Sequence, residues 1–202
     1  MKEGNVRFGF DLDNTLIDYS NAVKKYCLNN SLEECKNVDN LRKVLRTNDN
    51  SGNQWQLAQG WLYTDGLSHA EPAKGAVELC EYLIENNFEI QIVSHKTTHT
   101  PVFCGQKPLR SVATKWLTSG ELAPYFLDYR RIHYEPTIAL KVERIKALNL
   151  SYFVDDLLKV FEQPGYPKDV KSFLLSVASS KLPWVRNVDS LITVKEIMHH
   201  EE

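Results

Sequence analysis

The sequence contains no apolar run that approaches the roughly 20 residues needed to cross a bilayer. Its beginning, MKEGNVRFGFDLDNT, also lacks the apolar segment and the cleavage site of a secretory signal. The 202 residues are 43% hydrophobic and 25% charged, which is typical of a soluble globular protein with one sizeable core. We therefore expect a cytoplasmic protein that makes no use of a membrane.

Paired cysteines and an excess of either charge are missing as well. The four cysteines have no CxxC spacing, which in a chain of this length favours reduced thiols. His95, His99 and Cys104 are close in sequence, but their spacing matches no common zinc pattern and a fourth ligand is not evident. The formal net charge of −2 does not indicate a nucleic-acid polymer as a partner, so an anionic ligand would have to be held by local groups.

Segments of strand and helix character alternate along most of the chain. We predict strands at 6–12, 88–94, 126–132, 151–156 and 171–176. We predict helices from Pro72 to Ile84, at 109–117, at 137–148 and at 190–200. This order predicts an α/β fold, a Rossmann-like parallel sheet flanked by helices, whose ligands lie at the carboxyl ends of the strands.

The stretch from Asp18 to Ser68 interrupts this alternation. It contains no clear strand, and its apolar residues recur at helical spacing in two or three segments, with a break at NDNSGN, 48–53. We interpret it as a small helical insertion after the first strand. The predicted domains are a catalytic core at 1–17 and 70–202 and a helical cap at 18–69.

Two carboxylates, Asp11 and Asp13, follow the first strand in the segment FDLDNTL. Because they are two residues apart, they project to the same side, where they repel each other unless a cation lies between them. Asp11 could attack phosphorus as a nucleophile and form an acyl phosphate. Asp13 could protonate the leaving alkoxide and later take a proton from water. The alternative interpretation is an Asx-rich turn that ends a strand.

The segment FDLDNTL resembles the first motif, DxDxT, of the haloacid dehalogenase (HAD) superfamily, and the other motifs follow in order. Ser94, at the end of FEIQIVS, is similar to the second-motif residue that hydrogen-bonds the phosphoryl group. Lys141 resembles the third-motif lysine, with Lys96 and Lys146 as alternatives. Asp155 and Asp156 in YFVDDL resemble the acidic fourth motif. The resemblance implies a phosphohydrolase that works through an aspartyl phosphate.

The four aspartates also suggest a metal site. Asp11, Asp13, Asp155 and Asp156, brought together, would raise one another's pKa values unless a hard divalent cation neutralised them. Magnesium (Mg²⁺) suits such a site because it takes one or two carboxylates, several waters and a phosphate oxygen. The resemblance implies as ligands the carboxylate of Asp11, the main-chain carbonyl of Asp13 and one member of the last pair, for which we favour Asp156.

Phosphate binding is assigned to the two other motifs. Lys141 would be a compact positive charge between nucleophile and phosphate, and Ser94 with the residue after it, His95, would bind phosphate oxygens. Dehalogenases, by resemblance, lack the second acid of the first motif. Asp13 stands at that position here, which favours phosphorus chemistry.

The inserted segment resembles a small cap of the superfamily's first type, which favours a small phosphorylated metabolite as substrate, either a sugar phosphate or a nucleoside monophosphate. Trp55, Trp61 and Tyr63 either stack on that substrate or form the core of the cap. Two other functions stay open. A phosphomutase would use the same residues, and a non-catalytic member of the fold would bind a phosphorylated ligand or a partner protein. The sequence predicts no oligomeric state.

Overall fold

The computed structural model describes residues 6–49, 51–176 and 180–201. The strands of this part of the chain are β1 (Arg7–Phe10), β2 (Ile17–Asp18), β3 (Glu71–Pro72), β4 (Glu89–His95), β5 (Ile132–Glu135), β6 (Tyr152–Asp155), β7 (Lys171–Leu175) and β8 (Val185–Val188). Its α-helices are α1 (Ser20–Asn29), α2 (Val38–Asn48), α3 (Asn53–Leu62), α4 (Ala76–Glu85), α5 (Leu109–Leu117), α6 (Ile138–Ala147), α7 (Leu158–Phe161) and α8 (Leu191–Glu201). Short 3-10 helices cover Asp65–His69, Val102–Cys104, Ala123–Tyr125 and Tyr129–Arg131.

Six strands form a parallel sheet in the order β5-β4-β1-β6-β7-β8. The central strands are covered on both faces, since Phe153 and Val154, adjacent residues that point to opposite faces of β6, are both fully buried. The predicted α/β fold, a Rossmann-like parallel sheet flanked by helices, is therefore confirmed. Strands β2 and β3 form a separate two-stranded sheet.

Strand β1 lies inside the sheet, and the chain extends the sheet from it in two directions. It first adds β4 and β5 on one side of β1, and then β6, β7 and β8 on the other. In sheets of this kind, the ligand crevice lies at the carboxyl ends of the strands where this direction changes. The topology therefore points to the residues that follow β1, β4 and β6.

The chain divides into two compact units. The first comprises the described residues of Met1–Ile17, Pro72–Lys96 and Thr118–Glu202, and it contains the six-stranded sheet. The second comprises the described residues of Asp18–Glu71 and Thr97–Leu117. It contains α1, α2, α3 and α5.

Residues 97–117, which were predicted to belong to the core, group with the inserted helices instead. Gly60 in α3 has no side chain, and a Cβ added there would lie 3.4 Å from Cβ of Cys104, so the turn at 102–104 packs closely on that helix. The ammonium group of Lys107 also pairs with the carboxylate of Asp65. The compact units and the predicted domains therefore differ in this segment, because tertiary contacts join it to the insertion.

Two predicted elements are misplaced. The strand predicted at 126–132 begins only at Ile132, because Phe126 is buried in a turn and Leu127 is 64% exposed. Pro72 was predicted in the first turn of a helix but lies in β3. Helix α4 begins after Gly75, whose φ of 85° ends the preceding turn in the left-handed region. Strand β8 was not predicted at all.

The other predicted elements are close to those observed. Helix α5 has the predicted bounds, α6 begins and ends within one residue of its prediction, and the inserted segment forms α1, α2 and α3. Asn50, inside the predicted break at 48–53, lies outside the described residues. Every helix of the described chain is too short or too polar to span a bilayer.

Candidate active site

The loop after β1 carries the first pair of carboxylates. The backbone N–H of Asp11 donates to the carbonyl of Val154 at 2.9 Å, which ties this position to β6. The chain then turns at once, with Asn14 at a left-handed φ of 59°, a conformation that asparagine tolerates better than most residues. Asp13 forms an isolated bridge with Ile17. Both carboxylates therefore start from a fixed backbone.

The end of β6 supplies the second pair. Asp155 is fully buried, and both of its carboxylate oxygens are engaged: Oδ1 accepts from the N–H of Leu157 at 2.9 Å, and Oδ2 lies 2.6 Å from Nζ of Lys141. Asp156 is partly exposed, and its carboxylate accepts no hydrogen bond from any described residue. Carboxylate oxygens of Asp11, Asp155 and Asp156 lie within 4.8 Å of one another.

Lys141 connects the two pairs of carboxylates. It lies in the first turns of α6, whose start is capped by Thr137, where the hydroxyl accepts from the N–H of Leu140 at 3.2 Å. The Lys141 side chain is 2% exposed, and its ammonium group pairs with both Asp11 and Asp155. Burial acts to lower the pKa of Lys141, but the two carboxylates outweigh it and raise the pKa above its ordinary value.

The alternative lysine on the same helix, Lys146, is exposed. The structure therefore brings Lys141 into the aspartate cluster and leaves Lys146 outside it.

Burial and crowding raise the pKa values of two carboxyl groups. For Asp11, burial is the largest cause, the charge of Lys141 opposes it, and the pKa rises from 3.8 to about 7. The pKa of Asp156 is also raised, first by burial and then by the negative charges of Asp155 and Asp11. One lysine is thus not enough to neutralise the cluster, and a bound cation would lower both pKa values.

These residues fit a magnesium ion. The donors are carboxylate oxygens, which hard divalent cations prefer, and their spacing allows one ion to contact several of them. Because Asp155 already binds Lys141 and the Leu157 N–H, the carboxylates left for a cation are those of Asp11 and Asp156. This geometry supports the preference for Asp156 over Asp155 as a direct ligand.

Two buried hydroxyl groups at the site have no hydrogen-bond partner among the described residues, those of Ser94 and Thr15. Ser94 lies near the carboxyl end of β4 and is 1% exposed, and Thr15 is fully buried. Buried hydroxyls are normally satisfied, and functional sites are among the places where they are not. Ser94 was predicted as a phosphate ligand. Thr15, the threonine of the DxDxT pattern, was given no role by the sequence.

Lys96 occupies an unexpected position in the site. Its side chain is 2% exposed, and its ammonium group lies 2.6 Å from Oδ2 of Asp13. The sequence suggested Lys96 only as an alternative to Lys141. Its spacing from Ser94 was the available signal, because residues two apart on an extended chain point to the same side.

His95, predicted to bind substrate, is the last residue of β4. It is exposed, and its Nε2 lies 3.1 Å from the carbonyl oxygen of Pro136. Within the described part of the chain, the group of side chains that could hold a metal is Asp11, Asp155 and Asp156. The predicted contact between His95 and phosphate therefore stays a prediction.

The aromatic residues suggested for substrate stacking contribute to the packing of the second unit. Trp55 is 4% exposed. Trp61 has ring neighbours in Tyr26 and His69, with centroid distances of 5.5 and 6.2 Å. Tyr63 is half-buried. These contacts favour the interpretation in which the tryptophans stabilise the inserted helices.

Comparison with known proteins gives results at the level of structure. No family model matches the chain, and no curated protein matches it either. A HAD-superfamily hydrolase from Ehrlichia chaffeensis aligns with a TM-score of 0.51 at 16% identity, over 99% of this chain and 98% of its own. A HAD phosphatase from Thermococcus onnurineus aligns with a TM-score of 0.57 at 12% identity, over 96% and 97%.

A predicted phosphatase from Clostridium acetobutylicum gives a TM-score of 0.58 at 17% identity, over 97% of this chain and all 100% of its own. At such low identities the likeness shows the fold alone. The chain therefore has the fold of the HAD superfamily, as the sequence motifs predicted, and its chemistry has to be argued from its own residues.

Proposed function

We propose that this protein is a magnesium-dependent phosphohydrolase that cleaves a small phosphomonoester through an aspartyl phosphate on Asp11. The observation that carries the proposal is the environment of Asp11. Its carboxylate is buried at the carboxyl end of β1, and one of its oxygens is held by Lys141. Carboxylate oxygens of Asp155 and Asp156 lie close enough for one metal ion to contact them together with Asp11. This is the arrangement that a carboxylate needs to act on an anionic substrate.

Asp11 is the nucleophile in the first step. Its carboxylate oxygen bonds to phosphorus while the bond from phosphorus to the leaving oxygen breaks, and Asp13 gives that oxygen a proton. In the second step Asp13 takes a proton from a water molecule that attacks the aspartyl phosphate. The products are inorganic phosphate and the free carboxylate of Asp11.

Lys141 and Ser94 support the phosphoryl group during both steps. The ammonium group of Lys141, already paired with Asp11, lowers the repulsion between that carboxylate and a phosphate dianion. Ser94 offers a buried hydroxyl that makes no hydrogen bond with the described residues and can donate to a phosphate oxygen. Thr15 offers a second one.

Asp11, Asp156 and the main-chain carbonyl of Asp13 are the proposed ligands of magnesium, with Asp155 holding Lys141. A magnesium ion bound there would offset the negative charge of the carboxylates and of the transferring phosphoryl group. The proposed substrate is a small phosphorylated metabolite, a sugar phosphate or a nucleoside monophosphate. The predicted cap, 18–69, is the proposed source of selectivity for the leaving group.

The test is turnover of 4-nitrophenyl phosphate with magnesium and with excess chelator, followed by a panel of sugar phosphates and nucleoside monophosphates. We expect turnover with magnesium and its loss with chelator, and at least one panel member cleaved faster than the aryl ester. Turnover that is insensitive to chelator would contradict the metal assignment. Isomerised product without released phosphate would indicate a phosphomutase, and no turnover of any compound would favour a binding protein.

A further inference from the structure

Lys96 is a buried cation that faces one carboxylate of the site. Its ammonium group lies 2.6 Å from Oδ2 of Asp13, and the two side chains are 2% and 12% exposed. Because a buried charge is strongly unfavourable without its partner, the pair restricts both groups to one geometry. Lys141 pairs with Asp11 and Asp155 instead. Each aspartate of the DxDxT segment therefore has its own buried lysine.

The backbone on either side of this ion pair is also fixed. The N–H of Lys96 donates to the carbonyl of Glu135 at 2.9 Å, which extends the pairing of β4 with β5 by one residue. Asp13 is held by its bridge to Ile17. Both side chains therefore start from backbone positions that are hydrogen-bonded or bridged to a neighbouring segment, which is what precise positioning requires.

We propose that Lys96 positions Asp13 for proton transfer, by holding its carboxylate in the orientation from which it reaches the leaving oxygen. The inference rests on the proposed function, in which Asp13 protonates that oxygen and later accepts a proton from water. Lys96 donates no proton and binds no phosphate in this scheme. It acts through Asp13 alone.

This role predicts a dependence on the leaving group. An alkoxide needs a proton as it departs, whereas 4-nitrophenolate, a much weaker base, departs without one. A misplaced Asp13 therefore slows the cleavage of alkyl phosphates more than that of aryl phosphates. Since general acid catalysis contributes about 10²–10⁴-fold, we expect Lys96→Met to lower kcat/KM, which excludes the later hydrolysis of the aspartyl phosphate, about 100-fold for an alkyl phosphate and less than about 10-fold for 4-nitrophenyl phosphate.

The experiment compares kcat and KM of variants on the best alkyl phosphate of the panel and on 4-nitrophenyl phosphate. Lys96→Met keeps an unbranched side chain and removes the charge, whereas Lys96→Arg keeps the charge and should retain most of the original kcat/KM on the alkyl phosphate. Lys146→Met, on the exposed face of α6, is the control for loss of a lysine. Asp13→Asn is the reference, and we expect Lys96→Met to add little to its loss, because both act on one step.

Inorganic phosphate, used as a competitive inhibitor, separates positioning from binding. We expect its inhibition constant, like KM, to change less than about threefold in Lys96→Met. An unchanged ratio of alkyl to aryl kcat/KM together with weaker phosphate inhibition would mean that Lys96 binds phosphate. The same unchanged ratio without weaker phosphate inhibition would mean a purely structural role. Either result overturns the inference. Lys96→Gln is measured in the same way if the methionine variant does not fold.

Asp13→Asn also separates this inference from the proposed function. If it shows the leaving-group dependence and Lys96→Met does not, only the inference about Lys96 fails. If Asp13→Asn shows no such dependence, the acid assigned in the proposed function is wrong, and the role of Lys96 fails with it.

Discussion

The hydroxyl of Ser94 illustrates how a single side chain can serve binding at the expense of stability. It is buried, and no described residue donates a hydrogen bond to it or accepts one from it. A desolvated and unsatisfied hydroxyl costs about 1–3 kcal/mol, which a bound phosphate would offset. We therefore expect Ser94→Ala to leave the free energy of unfolding unchanged or slightly higher, while KM rises about 10-fold. Urea denaturation and steady-state kinetics measure the two effects.

Ser172 is the matched control, because it is equally buried but fully bonded. Its Oγ lies 2.6 Å from the hydroxyl of Tyr166 and donates to the carbonyl of Val170 at 3.0 Å. Ser172→Ala leaves the Tyr166 hydroxyl without that partner and should lower the free energy of unfolding by about 1–3 kcal/mol with KM unchanged. If Ser94→Ala destabilises the protein as much as Ser172→Ala does, the account of Ser94 is wrong.

Sequence motifs located most of the clustered residues but not their pairing. Asp11 and Asp155 end strands that periodicity identifies, so their meeting at one edge of the sheet followed from topology. The contacts of the two Asp155 oxygens did not follow from topology, because they depend on where the backbone N–H of Leu157 and the ammonium group of Lys141 lie. The ion pair between Lys96 and Asp13 was missed for the same reason. Chain spacing carries no information about contacts between strands.

At the scale of the element, Gly75 sets the approach of α4 to α8. Its φ is 85°, and a Cβ added there would lie 2.5 Å from both the backbone nitrogen and Cγ1 of Ile192. Gly75→Ala thus combines left-handed strain, about 1–2 kcal/mol, with a steric overlap that adds about 1–3 kcal/mol. We expect a loss of stability of roughly 2–5 kcal/mol, measured by urea denaturation.

Gly165 separates the two contributions. It has the same φ of 85°, but a Cβ there would meet nothing within 4 Å. Gly165→Ala should therefore show only the backbone strain of about 1–2 kcal/mol. Equal losses in Gly75→Ala and Gly165→Ala would mean that the contact with Ile192 does not limit the packing of the two helices.

Elements with a strong periodic pattern were predictable, and those defined by tertiary contacts were not. Helices α5 and α6 repeat apolar residues at helical spacing, and β6 is a short apolar run before two acids. Strand β8, VRNV, is only four residues long with two exposed in the middle, so its pattern does not distinguish it from a loop. In the segment 126–132, Phe126 is buried directly after a 3-10 helix and Leu127 is exposed, so the apolar residues that suggested a strand do not belong to one.

At the scale of the whole molecule, metal binding and protonation compete for the aspartate cluster. The pKa of Asp11 is raised from 3.8 to about 7. At pH values between these two, the folded protein therefore retains a proton that the unfolded chain has lost. The metal-free protein therefore loses stability as pH rises through this interval. Magnesium has to displace the proton, so we expect its stabilising effect to grow from about pH 5 to about pH 8.

Thermal unfolding with and without magnesium measures this effect. At a magnesium concentration 100 times Kd, the gain is about 2.7 kcal/mol, or roughly 5–10 °C in Tm. The shift should be smaller near pH 5 and should disappear in Asp156→Asn, which removes a proposed ligand. A shift that is the same at both pH values, or that persists in Asp156→Asn, would contradict the assignment of the site.

The extent of the second compact unit could not be predicted from sequence. Its helices were predictable from the apolar spacing in 18–68, but the addition of 97–117 depends on the bare backbone of Gly60 beneath Cys104 and on the pairing of Lys107 with Asp65. A glycine inside a helical pattern is compatible with several kinds of packing, and its partner lies far along the chain. Local periodicity therefore predicts the helices but not that segment 97–117 packs with them.

The most direct test of the central claim is the location of the transferred phosphoryl group. The protein is mixed with its best substrate and magnesium, quenched in acid during the first turnover, digested and analysed by mass spectrometry. We expect one phosphoryl group on the peptide that contains Asp11. In Asp11→Asn we expect neither this phosphoryl group nor substrate turnover faster than in buffer without protein. A phosphoryl group on another residue, or an Asp11→Asn variant that turns over substrate at the original rate, would contradict the mechanism.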